Sequence, residues 1–305
     1  MSFEGVFPIL VTPFKEQEEI DLESFEYMVC FMASLGVQGI TILGVLGEAN
    51  RLVDRERELL IKSAVNTAKG RFPVIVGVTH TGTRATCDLS QMAESLGADA
   101  VMVTPSREPI PNEENIFSFF LQVARATSLP IVIQDHPAST QVNMSISLLT
   151  RLVFEIPKVA CIKEEAPPTP ERISTLLSAI STHPVPILTG LGALYGLFEL
   201  ERGTKGFMTG FAFPEVLLFM VRAAQENRFD EVRQIYRRFL PLIVFEQQPG
   251  VAIRKEIFRL RGLIATSKVR HPGTGIDPNT TAQIQTLLKD LLPGIDLSKP
   301  LKINI

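Results

Sequence analysis

The sequence has few residues of the kinds that bind metals or cross-link a chain. It contains three cysteines and four histidines in 305 residues. The cysteines, Cys30, Cys87 and Cys161, are an odd number without the spacing of metal ligands, and the scattered histidines do not supply the missing ligands. We therefore expect reduced thiols, no disulfide bond and no metal site.

Long apolar runs and clustered basic charge are also missing. No segment reaches the roughly 20 apolar residues that span a bilayer, and residues 1–9 lack the positively charged opening of a signal peptide. The formal net charge is -3, and the basic residues are scattered rather than grouped. These absences argue against a membrane or a nucleic acid as a partner and predict a cytoplasmic protein.

What the sequence does contain is a regular alternation of short apolar segments and helical segments. The apolar segments are bounded by Gly, Pro or Asn, and most are apolar throughout, as expected for strands buried on both faces. The predicted strands are 6–12, 39–43, 74–78, 100–104, 131–134, 159–163, 187–189 and 206–208. The predicted helices that follow them are 22–35, 54–68, 84–96, 112–127, 146–154, 169–180, 193–201 and 214–226.

Eight such repeats with short connections predict an α/β fold, a closed (β/α)8 TIM barrel over residues 1–226. Three more helical segments follow at 231–245, 252–260 and 281–291. They predict a C-terminal helical extension, residues 227–305, packed on the barrel as one structural unit. A doubly wound open sheet is the alternative, but it normally carries a Gly-rich phosphate turn after its first strand, and Thr12-Pro13-Phe14-Lys15 is not one.

The sixth predicted strand ends in a lysine, at the end of the barrel where active sites lie. Because side chains alternate along a strand, Lys163 is expected to share its face with Val159 and Cys161, while Ala160 and Ile162 face the other way. In a poorly hydrated lumen the ammonium form is destabilised, and the neutral amine can attack a ketone. The alternative is a rim lysine whose ammonium group reaches water.

Other polar residues follow the fifth and sixth strands. Continued alternation turns Glu165 toward the lumen, beside the amine, although adjacent carboxylates such as Glu164 and Glu165 often form a solvated loop. At the end of the fifth strand, His136 can act as an acid or base near neutral pH, and Gln134 can hydrogen-bond a hydroxyl group or a water molecule. For a lone histidine, a structural hydrogen bond is the alternative.

Two turns that contain glycine are candidate binding segments. In the turn after the second strand, two glycines can bring backbone N–H groups close to a carboxylate and form an anion-binding nest. After the eighth strand, a glycine could leave room for a ligand. Ordinary turns are the alternative in both places. The candidate substrate-binding residues are Gly44, Val45, Leu46, Gly47, Thr209 and Gly210.

Taken together, these motifs resemble a known family. The turn Gly44-Val45-Leu46-Gly47-Glu48, the polar-x-x-Pro end of the fifth strand at Gln134 to Pro137, and Lys163 are similar to the dihydrodipicolinate synthase and N-acetylneuraminate lyase family, and the similarity covers nearly the whole chain. In that family the lysine forms an imine with a 2-oxo acid, and the glycine-containing turn holds the carboxylate. The resemblance implies these roles for Lys163 and residues 44–47, no cofactor beyond the imine, and a homotetramer or homodimer.

The pattern within the family is closest to the L-2-keto-3-deoxyarabonate dehydratases. Synthase and aldolase members have a proton-relaying tyrosine where this chain has Gln134, and the arginine by which the synthase binds its aldehyde is Ser139 here. The dehydratases also lack the tyrosine and have a glutamate two residues after the lysine, which matches Glu165. Segments 208–210 and 264–272 are similar as well, but residues 190–192, Gly-Leu-Gly, lack the acidic residues that those enzymes have.

The expected function is therefore that of a lyase acting on a 2-keto-3-deoxy sugar acid. Lys163 would attack the C2 ketone, Glu165 would remove the C3 proton, and a water held by Gln134 or His136 would protonate the departing C4 hydroxyl. A carbon–oxygen hydro-lyase is favoured over a carbon–carbon aldehyde-lyase, because aldol cleavage is the step that the missing tyrosine assists. The alternatives are a pyruvate-dependent aldolase or dihydrodipicolinate synthase-like enzyme, and a non-catalytic 2-oxo-acid-binding protein.

Overall fold

Eight parallel strands form the centre of the molecule in the computed structural model, which describes residues 1–108 and 112–303. The strands are β1 (Gly5–Val6), β2 (Ile40–Ile42), β3 (Val74–Gly77), β4 (Ala100–Val103), β5 (Ile131–Asp135), β6 (Val159–Glu164), β7 (Ile187–Thr189) and β8 (Gly206–Phe207). Their order in the sheet is β1-β8-β7-β6-β5-β4-β3-β2. The predicted (β/α)8 barrel is confirmed.

The barrel closes between the chain just beyond β1 and strand β2. Ile9 forms a parallel bridge with Thr41. The N–H of Leu10 donates to the carbonyl of Thr41 at 2.9 Å, and the N–H of Thr41 donates to Pro8 at 2.9 Å. The predicted first strand, 6–12, is regular only at its start, because Pro8 has no N–H with which to continue a ladder.

Helices surround the sheet, and three more follow the eighth repeat. They are α1 (Leu22–Leu35), α2 (Asp54–Ala68), α3 (Thr83–Ser95), α4 (Glu113–Ala126), α5 (Pro137–Thr140), α6 (Ile146–Glu155), α7 (Thr169–Ala179), α8 (Gly196–Glu201), α9 (Pro214–Gln225), α10 (Phe229–Phe245), α11 (Gly250–Leu260) and α12 (Pro278–Leu291). Only α5 lacks a counterpart among the predicted helices, because a single turn is too short to show a 3.6-residue period. Among the described residues, no helix is long and apolar enough to cross a membrane.

Apolar side chains fill both sides of the sheet. The cluster inside the barrel, which we call the lumen cluster, consists of Phe3, Phe7, Ile9, Leu46, Ile75, Ala100, Met102, Val132, Cys161, Leu188 and Met208. A second and larger cluster lies between the strands and the helices. Because both faces are buried, the strands are apolar at nearly every position, and each large aliphatic side chain contributes about 1.5–3 kcal/mol by leaving water.

The face expected for the first residues of β6 is wrong. The pairing of β6 with β5 passes from Val159 directly to Cys161 and leaves Ala160 without a partner, which is a β-bulge. Val159 therefore packs with Ile162 in the larger apolar cluster between the strands and the helices, whereas Ala160 packs against the lumen cluster. Beyond the bulge the alternation is regular, so Cys161 and Lys163 face the lumen.

The C-terminal helices are joined to the barrel by buried ion pairs. On α11, Lys255 pairs with Glu48 in the turn after β2. Just after α11, Arg261 pairs with Glu215 of α9 at 2.5 Å and donates to the carbonyl of Ala212 at 2.6 Å. The C-terminal extension thus contacts the same end of the barrel as the candidate site. The boundary between barrel and extension at residue 226 stays a prediction.

Candidate active site

The candidate site is built around a buried ion pair on β6 and the residue that follows it. The side chains of Lys163 and Glu165 are 2% and 5% exposed, and the Nζ atom of Lys163 lies 2.8 Å from Oε2 of Glu165. The two residues are two positions apart, so the alternation of an extended chain brings both to the lumen. Removing one partner would leave a buried charge uncompensated, so each charge holds the other in place.

Glu165 is held by two further hydrogen bonds. Nε2 of Gln134 donates to Oε2 at 2.7 Å, and the backbone N–H of Leu191 donates to Oε1 at 2.9 Å. Burial alone would raise the pKa of Glu165, but the charges of Lys163 and His136 and the hydrogen bonds from Lys163 and Gln134 lower it below its ordinary value. Glu165 is therefore ionised at neutral pH and able to accept a proton.

The glycine after β7 makes room for this carboxylate. A Cβ atom placed on Gly190 would lie 1.8 Å from Oε1 of Glu165. No side chain fits at position 190 while Glu165 occupies its present position. The absence of a side chain at position 190 is thus coupled to the position of Glu165.

His136 lies near the ion pair without contacting it. Its half-buried ring has Nδ1 2.6 Å from the hydroxyl of Ser139, at the start of α5. Burial lowers the pKa of His136, the charge of Glu165 raises it and the charge of Lys163 lowers it, and the net direction is downward. The ring is therefore neutral at pH 7, and it could supply a proton only through a water.

The turn after β2 presents free backbone donors. Leu43 and Glu48, on either side of the turn, have positive φ angles of 57° and 53°, and the hydroxyl of Thr12 donates to the carbonyl of Gly47 at 2.7 Å. Among the described residues, none accepts a hydrogen bond from the N–H groups of residues 44–47. Successive unpaired N–H groups of this kind are suited to an anion.

Inside this turn, two apolar side chains point to different places. Val45 is 54% exposed, whereas Leu46 belongs to the lumen cluster. A Cβ atom on Gly210 would lie 1.7 Å from Cδ1 of Leu46. The side chain of Leu46, from the turn after β2, therefore occupies the space beside Gly210, and a role for Gly210 in ligand binding stays a prediction.

Thr209 and Glu48 also have protein partners. The hydroxyl oxygen of Thr209 accepts a hydrogen bond from the N–H of Gly192 at 2.8 Å, so the side chain supports the loop after β7. Glu48, 1% exposed, pairs with Arg51 at 2.6 Å and with Lys255. Burial lowers the pKa of Lys255 to about 8. Glu48 thus anchors the turn to the C-terminal extension.

A second charged cluster, on the outer side of the sheet, was missed by sequence reasoning. Arg172 of α7 lies 2.7 Å from Asp135 and 3.3 Å from Glu164. Burial raises the pKa of Asp135 to about 6 and that of Glu164 to about 8. The signal was available, because alternation that turns Gln134 and Glu165 inward must turn their neighbours outward. We call these three residues the outer cluster.

The geometry can be compared with known proteins. The profile of the Dihydrodipicolinate synthetase family matches residues 2–291. The chain belongs to the dihydrodipicolinate synthetase family. Enzymes of this family form a Schiff base with pyruvate through a lysine and need no external cofactor. The family resemblance predicted from the glycine-containing turn, the end of the fifth strand and the lysine is confirmed.

Curated relatives in the family have different activities. The L-2-keto-3-deoxyarabonate dehydratase of Azospirillum brasilense is 33% identical over 294 residues, which cover 95% of this chain and 94% of that protein. The 4-hydroxy-tetrahydrodipicolinate synthase of Persephonella marina is also 33% identical, over 292 residues that cover 94% and 98% of the two chains. Identity alone therefore does not choose between the two activities.

Solved structures of the family superimpose over nearly the whole chain. The crystal structure of dihydrodipicolinate synthase from Rhodopseudomonas palustris has a TM-score of 0.89 and 33% identity, and the match covers 94% of this chain and 97% of that one. A prophage protein of the same family from E. coli K12, solved in complex with pyruvate, has a TM-score of 0.87 and 26% identity, and the match covers 95% of this chain and 98% of that one.

Among the residues that the structure describes here, no group of three or more His, Cys, Asp and Glu side chains could hold a metal ion.

Proposed function

We propose that this member of the family is a lyase that dehydrates a 2-keto-3-deoxy sugar acid, with Lys163 as the amine that forms the imine. The observation that carries the proposal is the buried contact of 2.8 Å between Nζ of Lys163 and the carboxylate of Glu165. An amine and an ionised carboxylate in contact, shielded from water, are the two groups that imine formation and proton removal require.

The first step is the formation of the imine. Lys163 must be neutral to attack the C2 ketone, and Glu165 is placed to take the proton from its ammonium group. That proton leaves with the water lost when the imine forms, so Glu165 is ionised again afterwards. The free N–H groups of residues 44–47 bind the C1 carboxylate of the substrate.

The second step is the loss of water from the sugar acid. The iminium withdraws electrons from C3 and acidifies its proton, which Glu165 removes. The resulting enamine expels the C4 hydroxyl, which takes a proton from a water held by Gln134 or His136 and leaves as water, and Glu165 returns the C3 proton to the hydroxide so formed. Hydrolysis of the remaining imine then returns Lys163 and releases a dehydrated 2-oxo acid. A positioned base or acid of this kind contributes about 10²- to 10⁴-fold to the rate.

Aldol chemistry is the second candidate, and the synthase of Persephonella marina is the reason to test it. Cleavage of a carbon–carbon bond requires removal of a proton from the C4 hydroxyl. Gln134, whose amide donates to Glu165, has no ionisable group with which to relay that proton. A protein that binds 2-oxo acids without turning them over is the third candidate.

Trapping with borohydride tests the imine. We expect sodium borohydride and pyruvate to leave one stable adduct on wild-type protein, mapped to the peptide that contains Lys163. Lys255 is the internal control, because it is also a buried lysine but is enclosed by Glu48 and the carbonyl of Lys268. Lys163→Arg should keep the charge beside Glu165 and form no adduct. An adduct on Lys255, or none on folded protein, would refute the assignment.

A substrate panel then separates the three candidates. With L-2-keto-3-deoxyarabonate and its six-carbon homologues, a dehydratase yields a product lighter by one water and releases no pyruvate. An aldolase releases pyruvate and an aldehyde. A binding protein forms the adduct but no product.

We also propose a cytoplasmic homotetramer or homodimer, for which light scattering on the purified protein gives the subunit number.

A further inference from the structure

An arginine on the C-terminal extension lies at the edge of the candidate site. Arg254 of α11 is 6% exposed, and its Nε donates to Oε2 of Glu246 at 2.8 Å. Glu246 is fully buried and accepts a second hydrogen bond, from the N–H of Ala212 at 3.2 Å. Glu246 thus fixes one edge of the guanidinium and leaves the two terminal nitrogens to other partners.

Two glycines make the space in which those nitrogens lie. A Cβ atom on Gly192, in the loop after β7, would be 2.6 Å from Nη2 of Arg254, and one on Gly250, at the start of α11, would be 2.8 Å from Nη1. Helical side chains lean toward the N-terminus of their helix, which brings this guanidinium beside the unpaired N–H groups of the first turn of α11. Any other residue at 192 or 250 would displace it.

Across residues 1–108 and 112–303, neither Nη1 nor Nη2 of Arg254 reaches a hydrogen-bond acceptor in the protein. A guanidinium has five N–H donors. This buried side chain uses only the donor on Nε. Its remaining donors, at the N-terminus of a helix, are therefore available to an anion.

The loop after β7 contacts both Arg254 and the carboxylate of Glu165. The N–H of Leu191 donates to Glu165, and its carbonyl accepts from Nε2 of Gln247 at 3.1 Å. Next to Arg254 in the first turn of α11, Val251 packs against the lumen cluster. The guanidinium therefore lies at the barrel end that holds Lys163 and Glu165, beside the loop after β7 that also contacts the carboxylate of Glu165.

We propose that Arg254 binds a carboxylate at the far end of the substrate, so that the sugar acid is a dicarboxylate, a 2-keto-3-deoxy-aldaric acid. This inference rests on the proposed function and names its substrate class. The free N–H groups of residues 44–47 bind the C1 carboxylate, and the planar fork of Nη1 and Nη2 matches the second one. Glu246 is a positioning residue that orients the fork.

Two six-carbon 2-oxo acids that differ only at C6 test the proposal. 2-Oxoadipate carries a carboxylate there and 2-oxohexanoate a methyl group. Each is trapped on Lys163 with borohydride, and the half-saturating concentration is measured. For wild-type protein we expect a value at least about tenfold lower for 2-oxoadipate, since a charge-assisted pair contributes that much or more. Arg254→Met should reduce this ratio to about one, and Arg254→Lys should leave an intermediate ratio.

The controls separate this proposal from the one on which it rests. Glu246→Gln keeps an acceptor for Nε and should retain a clear preference for 2-oxoadipate. Absence of any adduct with pyruvate would refute the imine assignment itself. Adducts with all three acids but equal values for the two six-carbon acids would overturn the distal carboxylate site alone. If Arg254→Met does not fold, the wild-type ratio and Arg254→Lys decide the question.

Discussion

Two adjacent glutamates on β6 and its continuation differ in the charge that they carry. Glu165 faces the lumen beside Lys163 and has a lowered pKa, whereas Glu164 faces the outer cluster and has a pKa raised to about 8. Both are almost completely buried. Burial therefore does not decide their ionisation, and the difference must come from their neighbours.

The difference lies in how many carboxylates share each cation. In the lumen, Lys163 pairs with one carboxylate among the described residues, that of Glu165, and Gln134 donates a hydrogen bond to the same carboxylate. In the outer cluster, Arg172 is shared between Glu164 and Asp135, and the charge of Asp135 raises the pKa of Glu164 further. The ionised carboxylate of Glu165 can therefore accept a proton in the lumen. In the outer cluster, Glu164 is protonated at pH 7 and lies enclosed between α7 and the sheet.

Replacing each glutamate in turn by glutamine should give the largest difference between the two positions. Glu165→Gln should lower kcat by about 10²- to 10⁴-fold, because it removes the base while keeping a side chain of the same size. Glu164→Gln is the matched control and should lower kcat by less than about threefold, since a neutral side chain already stands there at pH 7. The rate at which each variant dehydrates the 2-keto-3-deoxy sugar acid gives both numbers.

Pyruvate trapping adds a second measurement to this pair. Glu165→Gln should still form the adduct on Lys163, although more slowly, because the amine and the turn at residues 44–47 are intact. Equal losses of turnover in the two variants would mean that orientation toward the lumen does not distinguish the carboxylates.

A methyl group at position 190 should move the lumen carboxylate without changing its charge. In Gly190→Ala the new Cβ would meet Oε1 of Glu165 at 1.8 Å, so the carboxylate must leave its hydrogen bond with Leu191. We expect a loss of about 10- to 100-fold in kcat/KM, as for a misplaced catalytic group. Gly275→Ala, which meets nothing within 4 Å, should leave kcat/KM within about twofold.

Shortening the side chain of Glu165 tests whether its contact with the new methyl group at position 190 causes the loss of kcat/KM. In a Glu165→Asp background, Gly190→Ala should cost much less than in the wild type, because the shorter carboxylate has already withdrawn from Gly190. If the losses of kcat/KM in the two single variants add up in the double variant, Gly190 is required for a reason other than the space that Glu165 occupies.

Local sequence patterns were enough to predict the barrel and the proximity of Lys163 and Glu165. Eight repeats of an apolar segment and a helix determine the architecture, and strand alternation alone places Lys163 and Glu165 side by side. The bulge at Ala160 could not be read in this way, because it depends on how β6 pairs with β5. A pattern within one strand contains no information about its neighbour's register.

The contacts between distant parts of the chain were also out of reach. Leu46 fills the space beside Gly210, and Arg254 fills the space beside Gly192, because the closed barrel brings remote loops together. In the sequence, these glycines look like ordinary turn residues. Their role depends on a side chain contributed by a different element.

The dependence of stability on pH separates the two glutamates at a smaller scale. Glu164 keeps its proton in the folded protein up to about pH 8, but an unfolded glutamate loses it near 4.5. Its contribution to stability is therefore complete below about pH 4.5 and is lost as the pH rises through about 8. Glu165 has a lowered pKa, so its contribution is lost only as the pH falls below 4.5.

Thermal unfolding between pH 5 and pH 8.5 measures this effect. The midpoint of the wild type should fall by about 2 to 6 °C over that range, in proportion to a shift of a few pKa units. Glu164→Gln should flatten the decline, because the amide does not titrate. Glu165→Gln should leave the slope as it is, and a flattened slope in that variant instead would reverse the assignment of the two charges.

A weaker effect should follow from loss of the hydrogen bond by which Thr209 supports the loop after β7. The hydroxyl of Thr209 accepts the N–H of Gly192, next to the residue whose own N–H donates to Glu165. Thr209→Val keeps the shape but leaves that buried N–H unpaired, which costs about 1–3 kcal/mol of stability. We expect KM to rise by about three- to tenfold and kcat to change less, since the loop loses its anchor while Lys163 and Glu165 stay in contact. Thr209→Ser retains the acceptor and should behave like the wild type. If valine and serine have the same KM, the loop after β7 is held by its other contacts, and the hydrogen bond from Thr209 does not contribute to the position of Glu165.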